Sequence, residues 1–229
     1  MRQLLPDLVD PVDPVVVYGD LPEVSDRPSV RLNMIASVDG ATTVAGLSGG
    51  LGGSADKRLF SVLRSLADAV LVAAGTARAE AYGPSSLLIA VVSRSCALDW
   101  QAPFFTAATV RPMVITVADA PADNRARAAE VADVVIAGEA GVDMRRAVDA
   151  LGERGARAVL AEGGPSLNGQ LAGAGLLDEL CLTVSPALVG GDSKRILSGP
   201  ALEVAARCEL RSVCEEDGYL FLRYRASSR

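Results

Sequence analysis

Short runs of Val, Ile, Leu and Ala alternate along the chain with longer stretches whose apolar residues recur at helical spacing. That alternation marks an α/β domain built on a mostly parallel sheet. Residues 30–36 read as a first strand, with Ser37-Val38-Asp39-Gly40 as the turn at its end. Ser54 is placed to cap a helix whose Leu59, Val62, Leu63 and Leu66 fall at the i, i+3, i+4, i+7 spacing of one buried face. Strands are predicted over 69–74, 88–92, 113–117, 134–137 and 157–161, and helices over 124–131 and 144–153. Pro165 opens a further helix running to about residue 172. Residues 179–184 and 219–224 have strand composition with no clear helix between them, so an antiparallel C-terminal edge is expected on the parallel sheet. The Pro-rich, acidic stretch that ends at residue 28 reads as an N-terminal extension, and 29–229 as a single domain without repeats or an internal linker.

Composition narrows the class. Half of the 229 residues are hydrophobic and 22% are charged, which excludes a disordered chain. Apolar runs such as 69–74 fall far short of the roughly 20 residues a membrane span requires. A net charge of −6 leaves no basic stripe for a phosphate backbone, so neither nucleic acid nor membrane is an expected partner. The first residues mix Arg, Asp and Pro where a secretory signal would place an apolar run, and a cytoplasmic location is expected. Four cysteines without a Cys-x-x-Cys pair, in a chain with no histidine, argue against a metal site. The lack of histidine also excludes Ser-His-Asp and Cys-His catalysis, so proton chemistry falls to Asp, Glu, Lys, Tyr or water.

Chemistry gathers at the predicted strand ends. Glu162-Gly163-Gly164-Pro165-Ser166 sets small residues between a strand and a helix, where free N–H groups and the helix dipole favour an anion such as a phosphate. The same segment also reads as a tight turn, but Glu162 would then point into the crevice where open α/β sheets bind ligands. Gly75-Thr76 is a second strand-end turn, followed by Arg78 and Glu80, with a plain helix start as its simpler reading. The loop 46–53, with Ser48, is either a flap over a ligand or a long connection. Asp39 beside Thr42 and Thr43 is either a site carboxylate or an Asx turn. Ser93 and Arg94 offer a hydroxyl and a guanidinium, and Arg64 lies on the helix counted above, where a solvated arginine is the default. Neither Gly-x-Gly-x-x-Gly nor a Walker motif is present.

In this order and spacing, Met34-Ile35-Ala36-Ser37-Val38-Asp39-Gly40, Leu63-Arg64, Asp68-Ala69-Val70-Leu71-Val72 with Gly75-Thr76, Glu162-Gly163-Gly164-Pro165-Ser166-Leu167, and Leu177-Asp178-Glu179-Leu180 with Pro186 and Gly190-Gly191 resemble one family. It is the reductase domain of the riboflavin-pathway deaminase-reductase, over roughly residues 30–225. The resemblance implies a dihydrofolate reductase-like mixed sheet, mostly parallel and flanked by helices. It implies a homodimeric, NADPH-dependent oxidoreductase that reduces the ribosylamino chain of a phosphorylated pyrimidine, 5-amino-6-(5-phosphoribosylamino)uracil, to the ribitylamino form. Carried over by motif, Thr43, Gly75, Thr76, Glu80, Ser93, Arg94, Gly163, Gly164, Pro165, Ser166 and Leu167 are expected to bind NADPH. Ser48 and Arg64 are expected on the substrate, with Arg64 on its phosphate, and Asp39 and Glu162 as the catalytic carboxylates.

Three departures qualify the match. The zinc deaminase half is absent from this sequence. Glu80 stands where the family carries Asp, with Tyr82-Gly83-Pro84 after it. Residues 85–88 hold no second arginine for a substrate phosphate. A pterin substrate, or an NADPH-binding dimer without turnover, are the competing readings.

Overall fold

In the computed structural model, which describes residues 1–22 and 24–226, the alternation resolves into seventeen elements. In chain order they are β1 Arg2–Leu5, α1 Pro14–Tyr18, β2 Ser29–Ser37, α2 Ser54–Ser65, β3 Ala69–Ala73, α3 Ala74–Ala79, β4 Leu88–Val92, α4 Pro103–Thr106, β5 Met113–Thr116, α5 Ala122–Val131, β6 Asp133–Ile136, α6 Met144–Glu153, β7 Ala158–Ala161, α7 Pro165–Gly173, β8 Glu179–Ser185, β9 Cys208–Glu216 and β10 Tyr219–Ala226. Among the described residues no helix is long and apolar enough to cross a membrane.

One sheet joins the strands in the order β1-β9-β10-β8-β2-β7-β3-β4-β5-β6. From β8 to β6 the neighbours are parallel, and β10, β9 and β1 close the other end antiparallel. The expected mixed sheet with its antiparallel C-terminal edge is therefore present. Strand β3 is apolar at every position because both faces are covered. Its Ala69 and Leu71 pack with α6 and α7, while Val70 and Val72 pack on the face that carries α4 and α5. Helices α1 and α2 cover the neighbouring part of the sheet through Tyr18, Leu59 and Leu63 against Leu160, Cys181 and Phe221.

Four local readings change. The N-cap of α2 is Gly53, with no side-chain cap bond, so Ser54 is the first helical residue and not its cap. Gly75 and Thr76 lie inside helix α3 and not in a turn. Strand β9, not anticipated, supplies the partner between β10 and the edge.

The fourth concerns residues 1–28, expected as an appendage. They are docked on the domain: β1 pairs with β9, and Tyr18 is wholly buried. Behind it lies a buried ionic cluster. Glu179 accepts from Arg31 Nε at 2.5 Å and from Arg223 Nη2 at 2.7 Å. The two guanidiniums then donate to the carbonyls of Val17, Tyr18 and Asp20. Two buried arginines thus place Nη N–H groups on the backbone of the N-terminal segment, which holds that segment to β2, β8 and β10, while Arg223 Nε is left without a partner.

Candidate active site

Strand β7 is short, and the site exists because of it. Its pairing with β2 ends at Leu32 and Ala161, whereas β2 continues beside β8 as far as Ser37 and Ser185. On the other side β3 leaves β7 at Leu71. Between β2 and β3 the chain turns away through Glu162-Gly163-Gly164 into α7, and the gap becomes a cavity of about 730 Å³. It lies outside the carboxyl ends of parallel strands, the place where such sheets bind ligands.

The floor is built around Glu162, which is buried. Arg64 on α2 grips it in a fork, Nε to Oε1 at 2.7 Å and Nη2 to Oε2 at 2.8 Å. The Tyr82 hydroxyl donates to the same Oε2. The Arg64 guanidinium lies 4.5 Å over the Phe60 ring and 5.3 Å from that of Tyr82. Burial, then the charge of Glu162, hold the Tyr82 phenol far above its ordinary range, so it serves as a neutral hydrogen-bond donor and not as an acid. The Arg64 guanidinium is raised through its bonds to Glu162 despite the opposing cost of burial. Arg64 was expected on a substrate phosphate; its Nε and one Nη2 proton are committed to Glu162, which leaves only the remaining N–H groups for a ligand.

The wall opposite is the open start of α7, whose geometry suits an anion. Gly164 is the N-cap of α7, and the N–H groups of Ser166 and Leu167 lie in the first turn, where no intrahelical acceptor exists. An added Cβ at Gly164 would meet Thr76 Oγ1 at 2.8 Å, so only glycine lets the turn approach α3 this closely. Gly75, Thr76, Gly163, Gly164 and Pro165 all line the cavity. Ser166 and Leu167 do not line it: Ser166 is exposed and the Leu167 side chain packs in the core, so these two offer backbone N–H groups alone.

The other expected residues separate into three groups. Thr43, Ser48 and Glu80 line the cavity. Glu80 accepts from the Ser48 backbone N–H at 2.9 Å and hydroxyl at 2.7 Å, which ties the glycine-rich loop to α3. Thr43 meets the Ser193 hydroxyl, and Thr42 donates to the Lys194 carbonyl at 2.9 Å, holding a second loop at the rim. Ser93 and Arg94 lie in an adjoining hollow with Gly75 and Arg78, beyond α3. Asp39, expected as a catalytic carboxylate, is outside the cavity. Its carboxylate accepts from the Ser37 hydroxyl and from the N–H groups of Val189 and Gly190, and these bonds lower it to about 2. In this arrangement it clasps a distant loop and forms no local Asx turn, the Ala41 N–H being bound by the Ser37 hydroxyl instead.

Asp56, Lys57, Phe60, Tyr82 and Lys194 are among the lining residues that escaped the sequence reading. Asp56, Phe60 and Arg64 follow one another at i, i+4 and i+8, a spacing that reports their shared helix face once α2 is known. Nothing local marks Tyr82 or Lys194.

The RibD C-terminal domain model matches residues 28–220. A protein of Methanothermobacter thermautotrophicus named 2,5-diamino-6-ribosylamino-4(3H)-pyrimidinone 5′-phosphate reductase is 30% identical over 81% of this chain and 92% of its own. One of the same name from Archaeoglobus fulgidus is 27% identical over 80% of this chain and 92% of its own. Among solved structures, a pyrimidine reductase-like protein of Corynebacterium diphtheriae superposes with a TM-score of 0.82 at 27% identity, covering 94% of this chain and 99% of that one.

Proposed function

The chain belongs to the RibD C-terminal domain family, and on that footing we propose that it reduces the ribosylamino side chain of a 5′-phosphorylated aminopyrimidine to the ribitylamino form, using NADPH, as a homodimer in the cytoplasm. The observation that carries this reading is the shared cavity: a helix-start phosphate cradle at Gly163-Gly164-Pro165 faces an aromatic and cationic helix across one space.

The residues present fit a nicotinamide dinucleotide. The Gly164 cradle, which a Cβ would fill, and the open N–H groups of α7 suit a pyrophosphate. Thr43, Thr76 and the Glu80–Ser48 pair border the same space, and Ser93, Arg78 and Arg94 in the adjoining hollow suit the 2′-phosphate that distinguishes NADPH. When bound, the cofactor supplies the hydride for C1′ of the opened sugar.

The chain's own part is position and charge. Lys57, Lys194 and the uncommitted N–H groups of Arg64 face the cavity and supply positive charge for the substrate phosphate. Glu162 acts through its partners, keeping the Arg64 fork and the Tyr82 hydroxyl in one arrangement. The proton that accompanies the hydride goes to the nitrogen joining ring and sugar, and solvent water supplies it, because burial and the Glu162 charge make the Tyr82 phenol too weak an acid and Glu162 is committed to Arg64. Exposed Val38, Leu188 and Val204 offer apolar surface to a second copy.

NADPH oxidation followed at 340 nm with ribosylaminopyrimidine phosphates tests the reading, with dihydrofolate offered in parallel. Turnover of a pyrimidine phosphate alone supports it, and turnover of dihydrofolate alone refutes it. Gly164→Ala is expected to weaken NADPH binding at least about tenfold, since closing the cradle removes a charge-assisted phosphate contact.

A further inference from the structure

Residues 186–207 join β8 to β9 without regular structure, a length at which a connection is commonly functional. The middle of this loop reaches the cavity, where Asp192, Ser193 and Lys194 form part of the lining. On one side the loop is held by the turn after β2: Asp39 accepts from Val189 and Gly190, and Thr42 donates to the Lys194 carbonyl. On the other side it is held by α7. The Asn168 amide donates through Nδ2 to the Ile196 carbonyl at 2.7 Å, and the Ser198 N–H donates to the Pro165 carbonyl at 2.9 Å. Lys194 therefore stands between two anchors.

The second anchor is built from two unusual positions. Asn168 has no exposed surface, and its Oδ1 is buried without a partner. Leaving that oxygen unpaired costs free energy that a leucine of like size would not incur, so the side chain contributes here through its bond to the loop. Gly169 follows. A Cβ there would meet the Ser198 carbonyl oxygen at 2.2 Å, an overlap that only backbone movement relieves. Glycine within a helix is less favourable than alanine, and at this position it admits the loop backbone onto the helix.

We propose that Asn168 and Gly169 are positioning residues, which seat the β8–β9 loop on α7 so that the Lys194 ammonium is held over the cavity for the substrate phosphate. The inference rests on the function proposed above and adds two residues that line no part of the cavity. One helix then serves both ligands: Gly164 and the first N–H groups of α7 face the cofactor, and Asn168 and Gly169 fix the cation for the substrate. A lysine on an unanchored loop would be ordered only on binding, at a loss of affinity.

The test separates seating from folding. Lys194→Met should raise KM for a ribosylaminopyrimidine phosphate about tenfold, the loss of one charge-assisted contact. Asn168→Leu and Gly169→Ala should each raise it about three- to tenfold by the same route, with kcat and the NADPH Kd within about twofold of wild type. In the Lys194→Met background neither should add more than about twofold, because the group they position is gone. On the same substrate stripped of its phosphate, every variant should match wild type. Gly169→Ala raises helix propensity, so its loss is not one of helix stability, and it carries the test if Asn168→Leu fails to fold. Equal losses on the phosphorylated and dephosphorylated substrates, full additivity with Lys194→Met, or an unchanged KM overturn the proposal and leave the reductase reading intact. Wild-type protein that reduces no ribosylaminopyrimidine phosphate overturns that reading and the role of Lys194 with it. Trypsin then still tests the seating: Asn168→Leu should speed cleavage after Lys194 several-fold, and an unchanged rate refutes the anchor.

Discussion

Replacing Arg64 by alanine should destabilise the protein through Glu162 more than through the arginine itself. The Glu162 side chain is 3% exposed and that of Arg64 32%, and two bonds of 2.7 and 2.8 Å join them. Breaking a buried pair by removing one partner costs about 3–5 kcal/mol, because the surviving charge is left without compensation. Water reaching Glu162 from the exposed side of Arg64 puts the cost near the lower end, about 3 kcal/mol. Loss of the guanidinium over Phe60 adds about 0.5–1 kcal/mol. At about 2–4 °C per kcal/mol for a chain of this length, Arg64→Ala should melt roughly 10 °C below the parent. Glu162→Gln removes the charge and keeps a carbonyl for Tyr82, so the pair Arg64→Ala/Glu162→Gln should cost less than the sum of the singles by about 1–3 kcal/mol. Denaturant melts of the four proteins measure that coupling. Additivity within about 0.5 kcal/mol would refute the view that Glu162 is a compensated buried charge.

Further outcomes follow from the packing. Tyr18 is fully buried with its hydroxyl unpartnered, so Tyr18→Phe should leave the melting temperature unchanged or raise it. Tyr18→Ala should cost about 3–5 kcal/mol, and deletion of residues 1–22 should abolish cooperative unfolding, because Arg31 and Arg223 then lose the carbonyls they bind. Burial pushes the Cys181 thiol up to about 12 and the Cys214 thiol up to about 11, Cys96 is raised as well, and Cys208 alone is exposed. A thiol reagent at pH 8 should therefore label Cys208 rapidly and the other three only on unfolding, as mass spectrometry of the native and denatured protein will tell.

The parts that could be read from the chain are those whose signal is local. The apolar run of β3 and the heptad-like face of α2 name themselves, because burial on two faces or one imposes a periodicity. Pro165 after two glycines announced the start of α7, since proline suits the first helical turn and glycine the close approach before it. The outer strands escaped for the opposite reason: β1 is largely exposed, β9 is exposed over its first four residues, and the positions β9 buries are Ser212 and Cys214, which give no run of large apolar side chains. Helix α1 hides behind Val15-Val16-Val17, a run with strand propensity that tertiary packing overrides.

Motif residues also changed meaning once distances were known. Asp178 and Glu179 belong to the family pattern, yet they bind Arg27 and the buried pair Arg31 and Arg223, so their work is structural. Asp39 likewise holds the 189–190 backbone. The sequence by itself determined the α/β class, the antiparallel edge, the phosphate-suited turn at Gly163-Gly164 and the absence of histidine chemistry, each a matter of neighbouring residues or composition. Only the tertiary structure decided that Glu162 spends its charge on Arg64, 98 residues away, and that Tyr82 completes the group. It alone left Asp56 open to the cavity. Pairing between distant segments depends on where β7 stops and how α2 crosses the gap, and no local pattern in the chain encodes that geometry.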